Sequence, residues 1–157
     1  DQVELKPFQL AIAHGADAIM TAHMTVPALE PEEIPATVSP KVLTGLLRNE
    51  LKFKGLIVTD AMDMQGLSKM FDGGEGAVRA LLAGADVVAT TASLLRHGPE
   101  YIRVMEQFVR TWMVERDYTS VAELRGSVSM SNVPDPQVYE RLNYHHILHS
   151  WPSAGGR

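Results

Sequence analysis

The 157-residue chain contains no cysteine. Disulfides, thiolate metal sites and cysteine nucleophiles are therefore excluded. Nor is there a cluster of basic residues: 14 Lys and Arg are spread among 19 Asp and Glu, for a formal charge of −5. Nucleic acid and anionic membrane thus lack an electrostatic footprint. No apolar run approaches the roughly 20 residues of a membrane span. The first residues, Asp-Gln-Val-Glu-Leu-Lys-Pro, have neither the basic start nor the apolar run of a signal peptide. A cytoplasmic location is the expectation. What remains, 45% hydrophobic and 21% charged residues, is the composition of an ordinary globular protein.

An internal repeat organises the first half. Residues 11–22 read AIAHGADAIMTA and residues 80–91 read ALLAGADVVATT. Each copy ends an amphipathic helix, turns at Gly-Ala-Asp, and enters a short apolar run. Glycine suits the position after a helix because it adopts φ > 0 without steric cost. The runs are too short for helices and fit strands buried on both faces. A third such strand, GLIVTD at 55–60, lies between them. Before it, Ser39 as N-cap and Pro40 at the first helical position introduce KVLTGLLRNEL. A further helix is expected from about Glu75 to Ala83.

Strands alternating with helices at this spacing give a parallel α/β sheet with right-handed crossovers. A complete (β/α)₈ barrel takes roughly 250 residues. The fold class expected is therefore a partial TIM-type barrel of about three strands, over 1–93, with a helical extension over 94–157. In that extension, LLRHGPEYIRVMEQFVRTWMVERD predicts one long helical stretch with Leu94, Leu95, Ile102, Met105, Phe108, Val109 and Trp112 on its apolar face. Thr119 or Ser120 caps a short helix with Glu123 near N3. SVSMSNVPDPQ is a turn-rich linker, and PQVYERLNYHHILHSW a last helix. Trp112 and Trp151 are packing anchors for these helices.

Parallel α/β folds build active sites at the C-terminal ends of their strands. Three segments qualify: Thr21-Ala22-His23, Thr59-Asp60-Ala61-Met62-Asp63 and Thr90-Thr91-Ala92-Ser93. Asp60 follows Leu56–Thr59 without a break, so the sheet fixes its backbone. A carboxylate so mounted serves as nucleophile, base or ligand; as a turn or N-cap residue it would look the same. Asp63 reads as a solvated or capping residue. His23 and Met62 are candidate substrate-binding residues; hydrogen-bonded structure and core filling are the competing readings. His145 and His149 have i,i+4 spacing that could hold a metal, but no accompanying Glu, and helix polarity explains them better. No metal and no cofactor are expected.

The segment GADAIMTAHMTVPALEPEEIPATVSPKVLTGLLRNELKFKGLIVTDAMDMQGLS resembles glycoside hydrolase family 3, particularly its bacterial β-N-acetylhexosaminidases, over about Val3 to Asp86. MTAH…VPAL, PATVSP with its LLR, and FKGLIVTDAMDM carry the resemblance. It implies a retaining glycosidase in which Asp60 is the nucleophile and a carbohydrate the partner. A retaining mechanism needs an acid/base about 5 Å from the nucleophile. In that branch it is a His on a Gly- and His-rich loop, to which nothing in this sequence corresponds.

From about Gly84 to Trp151, with LLRHGPE and VAELRGS as the most specific parts, the pattern resembles the end of dihydroorotate dehydrogenase-like flavoproteins. That resemblance implies a chimera joined near residues 84–86, and in such barrels Thr90, Thr91, Ala92 and Ser93 would cradle an FMN phosphate. A helix N-cap region has the same residue types, and without the earlier strands FMN binding is not expected. Three readings stand: a family 3-like glycosidase, an FMN oxidoreductase fragment, and a non-catalytic barrel fragment that self-associates through its open sheet edges.

Overall fold

The computed structural model describes residues 3–32, 34–64, 68–71 and 73–128. His145, His146, His149 and Trp151 lie outside them. The chain runs α1 (Lys6–Ala13), β1 (Ala18–Thr21), a single 3₁₀ turn (Ala36–Val38), α2 (Lys41–Glu50), β2 (Leu56–Ala61), α3 (Gly73–Ala83), β3 (Val87–Ala89), α4 (Ala92–His97), α5 (Tyr101–Val114) and α6 (Val121–Leu124). The three strands form one parallel sheet in the order β1-β2-β3. This is the expected partial barrel, with helices crossing between successive strands.

The Gly-Ala-Asp repeat has a common structural cause. Gly15 and Gly84 have φ of 83° and 118°. The N–H groups of Gly15 and Ala16 bond to Ile12 and Ala11, and those of Gly84 and Ala85 to Leu81 and Ala80. Both are Schellman closures, which satisfy the last carbonyls of a helix and turn the chain into the next strand. At Gly84 a side chain would also collide with Thr44, whose Oγ1 lies 2.6 Å from the ideal Cβ position. Ser39 acts at the entrance of α2 as its sequence suggested: its Oγ accepts from the Val42 N–H at 3.3 Å. The helix is wound in the π form, so that Leu51 N–H closes on the Leu46 carbonyl five residues back.

Side chains alternate across the sheet, and the two faces meet different environments. Ile19, Thr21, Ile57 and Thr59 are buried on the face covered by helices, where Leu43, Leu47, Ala80 and Ala83 complete the core. On the opposite face Met20, Leu56 and Val87 remain 66%, 52% and 42% exposed. That face corresponds to the interior of a closed barrel.

A second core joins α3 to the C-terminal helices. Val78, Leu81 and Leu82 pack with Trp112 of α5 and Leu124 of α6, so the two segments separated at residue 93 share one hydrophobic cluster. Gly74 permits the close approach: a Cβ there would lie 2.7 Å from the Phe108 ring. The single long helix expected from residue 94 is two helices. Gly98, at φ 81°, closes α4 by donating to Leu94, and Pro99 cannot continue the backbone ladder. The break leaves Leu95 and Ile102 exposed, while Trp112 is buried. Ser120 caps α6, accepting from the Glu123 N–H, and the Glu123 carboxylate returns to Thr119 N and Oγ1, both at 2.9 Å. The backbone N–H and hydroxyl of Thr119 hold Glu123 below its ordinary pKa.

Candidate active site

Asp60 is the penultimate residue of the central strand, at its C-terminal end. It follows the buried Thr59 and is itself half-buried. The ladder is irregular here. Val58 pairs with Val87 and Ala61 with Ala89, leaving Thr59 and Asp60 opposite one residue, Val88. Such a bulge re-aims the side chains around it. The Thr59 hydroxyl closes the gap by accepting from Ala89 N–H at 2.9 Å. The Asp60 carboxylate accepts from the N–H of Ala61 through Oδ1, at 2.8 Å.

His23 reaches the same end of β2 from the loop after β1. Its Nε2 lies 2.8 Å from the Ala61 carbonyl and its Nδ1 3.0 Å from Thr37 Oγ1. Thr37, fully buried, also accepts a hydrogen bond from Thr21 at 3.1 Å. Both ring nitrogens therefore have protein partners, which leaves neither for a sugar hydroxyl. His23 thus stands at the same end of β2 as Asp60, with both ring nitrogens bonded within the chain.

Met62 takes the core-filling role and not the substrate-binding one. It is 1% exposed and packs in the helix-side core with Ile57 and Leu43, while its N–H bonds to Ala89 O at 2.9 Å. The bulge shifts the alternation along β2, turning Met62 inward, away from the rim where sequence had placed it.

Asp63 links the loops after β2 and β3. Its carboxylate accepts from Thr90 Oγ1 and Thr91 N–H, each at 3.4 Å, and from Ser93 N–H. Burial raises its pKa, but the backbone N–H groups of Ser93 and Thr91 outweigh this and hold it below the ordinary value. The Thr90–Ser93 loop thus turns its donors onto a carboxylate of its own chain. An FMN phosphate would have to displace Asp63 from them.

A buried glutamate paired with an exposed lysine, missed by sequence reasoning, supports the loop after β1. Glu30, 2% exposed, accepts from Ser39 Oγ at 2.9 Å and Lys41 Nζ at 3.0 Å. Of the other described histidines, His14 bonds to Leu10 O at the far end of β1, and His97 stacks on Tyr101 with centroids 4.9 Å apart. Among the described residues, no group of three or more His, Asp or Glu is arranged to hold a metal, and no helix is long and apolar enough to cross a membrane.

The model of the glycosyl hydrolase family 3 N-terminal domain matches residues 1–125. The chain belongs to glycoside hydrolase family 3. The match passes through the 84–86 junction and continues over LLRHGPE and VAELR, so the flavoprotein-like chimera expected from sequence is unsupported across that stretch.

Among relatives of this family 3 chain, a β-hexosaminidase of Stenotrophomonas maltophilia is 44% identical, over 54% of the chain and 25% of its own length. β-Hexosaminidase A of Pseudoalteromonas piscicida is 37% identical, over 55% and 16%. A solved family 3 β-N-acetylglucosaminidase from Paenibacillus sp. str. FPU-7 superposes with a TM-score of 0.62 at 34% identity, covering 98% of the chain and 26% of that structure. The chain spans about a quarter or less of the length of these proteins.

Proposed function

We propose that this chain carries the nucleophile-bearing strand of a retaining glycosidase acting on β-linked N-acetylhexosamine, with Asp60 as the nucleophile. The observation that bears most weight is the position of Asp60: a carboxylate at the C-terminal end of the central parallel strand. Membership of family 3 and the hexosaminidase relatives support the sugar class. Asp60 would attack the anomeric carbon as the leaving oxygen departs with a proton from an acid. The glycosyl ester formed on Oδ would then be hydrolysed by water. His23 does not supply that acid, because its Nε2–H is committed to Ala61 and its Nδ1 to Thr37.

A ring-fluorinated N-acetylhexosaminyl fluoride tests the assignment. Fluorine slows hydrolysis of the ester, and fluoride leaves without a general acid, whose help is otherwise worth roughly 10²–10⁴-fold. Intact mass spectrometry should find one glycosyl unit on the parent and on Asp63→Ala, and none on Asp60→Ala. Equal labelling of the parent and Asp60→Ala would remove Asp60 from the mechanism. An unlabelled parent would favour the second reading, a non-catalytic barrel segment. The exposed Met20, Leu56 and Val87 of the open sheet face favour that reading independently.

A further inference from the structure

Three directional hydrogen bonds run from β1 to the end of β2. A carbonyl can only accept, so the bond to Ala61 O requires a proton on His23 Nε2. In the neutral ring Nδ1 is then an acceptor, and the Thr37 hydroxyl must donate to it. The Thr37 oxygen is left to accept from Thr21. Thr21 and Thr37 are buried, at 7% and 0% exposure, so no water competes for these positions. The order Thr21 to Thr37 to His23 to Ala61 therefore fixes one tautomer and one ring orientation.

The last link lands on the residue that touches Asp60. Ala61 gives its N–H to Asp60 Oδ1 at 2.8 Å and its carbonyl to His23. The peptide group whose carbonyl His23 holds is also held from the other side, where its Met62 N–H bonds to Ala89 O. All this happens at the bulge, where the regular ladder is interrupted and the backbone would otherwise be least constrained. That bulge lies on the β3 side; on the other side the β1–β2 ladder ends at Thr21 and Thr59, and His23 is the tie from the loop after β1 that holds β2 beyond that last pair.

We infer that His23 is a positioning residue: through the Ala61 carbonyl it fixes the N–H that orients the Asp60 carboxylate, with Thr37 setting its tautomer. The inference rests on Asp60 being the nucleophile for its catalytic consequence, but the geometry can be read without turnover. A misplacement of about 1 Å at a reacting group can cost on the order of 10²-fold in rate, which is the scale expected here.

The test uses ¹⁵N-labelled full chain and the variants His23→Ala, His23→Gln and Thr37→Val. Long-range ¹⁵N–¹H spectra of the parent should show His23 protonated at Nε2, and an Ala61 amide proton held downfield by the Asp60 carboxylate. Asp60→Asn calibrates that shift by moving it upfield. His23→Ala should move it likewise, with about a 10²-fold slower labelling by the fluoride reagent. His23→Gln keeps a donor for Ala61 and an acceptor for Thr37, and should restore both readouts in large part. Should His23→Ala fail to fold, Thr37→Val serves instead, expected to mix the two His23 tautomers and shift the Ala61 amide part-way. Protonation of the parent at Nδ1, or an Ala61 amide unmoved in the folded variants, would overturn the inference. A parent that does not label, yet shows the tautomer and the amide shifts, would sink the glycosidase proposal and leave the positioning geometry standing.

Discussion

Arg48 and Asp86 meet at 2.5 Å, joining α2 to the start of β3. The same Asp86 carboxylate accepts from the Ile57 N–H at 2.8 Å and from Arg125 at 2.5 Å. Arg48 in turn donates to the carbonyls of Phe53 and Gly55, at 2.9 and 2.6 Å. One carboxylate thus aligns β3 with β2, while one guanidinium holds the turn that leads into β2. Gly55 is part of this closure, since a Cβ there would lie 2.3 Å from the Asp17 carbonyl.

Asp86 should therefore be the more sensitive end of the network. Its side chain is 10% exposed, that of Arg48 25% and that of Arg125 46%. Removing one member of a largely buried pair strands the other charge, at about 3 kcal/mol. An exposed pair contributes about 1 kcal/mol or less. Urea unfolding midpoints should fall much further for Asp86→Ala than for Arg125→Ala. Equal losses would mean that burial does not govern this network.

Asp63 should make stability depend on acid. Its folded pKa lies below the ordinary carboxylate value, so its contribution is fully present above that value and is lost as pH falls through the folded pKa. Asp63→Asn removes the charge that the Ser93 and Thr91 N–H groups complement. At neutral pH the loss should be about 1 kcal/mol, similar to the loss of a helix cap, or about 3 °C in Tm. Thermal unfolding at pH 7 should separate variant and parent, and at a pH near the folded pKa or below the gap should narrow. A gap that is constant with pH would show that Asp63 acts through packing alone.

The repeat, the three parallel strands and the strand-end position of Asp60 were legible because their signals are local. A glycine after a helix, a short apolar run and a polar strand end each follow from neighbouring residues. The Asp86 network was not, since its arginines stand 38 and 39 residues away and nothing in the spacing marks them as partners. Met62 was misread for a related reason. Alternation counted along an unbroken strand carries it to the rim, whereas the bulge between Val58 and Ala61 reverses the count. His23 was found for its position, but its hydrogen-bond partners were not legible, because they lie at Thr37, 14 residues on, and Ala61, 38 residues on. The split between α4 and α5 could have been read from Gly98-Pro99, a local signal that the apolar periodicity outweighed.

The open face of the sheet makes the last prediction, because neighbouring residues of β2 point into opposite environments. Leu56 is 52% exposed and Ile57 is fully buried. Exposed apolar side chains on a sheet whose two edges are unpaired among the described residues favour association. Leu56→Ser should therefore lower the sedimentation-average mass at a fixed concentration, with little effect on the unfolding midpoint. Ile57→Ala, one residue further, should leave the open face unchanged and cost about 2–5 kcal/mol through the cavity it creates among Leu43, Leu47 and Ala80. A doubly substituted Met20→Ser, Leu56→Ser chain should be the most monomeric, since β1 and β2 pair in register with Met20 opposite Val58 and Ala18 opposite Leu56, which puts both residues on one surface. If the parent is already monomeric at high concentration and Leu56→Ser destabilises it as much as Ile57→Ala, then the face is covered in solution. The open-barrel description would then have to give way to one in which another part of the chain lies across it.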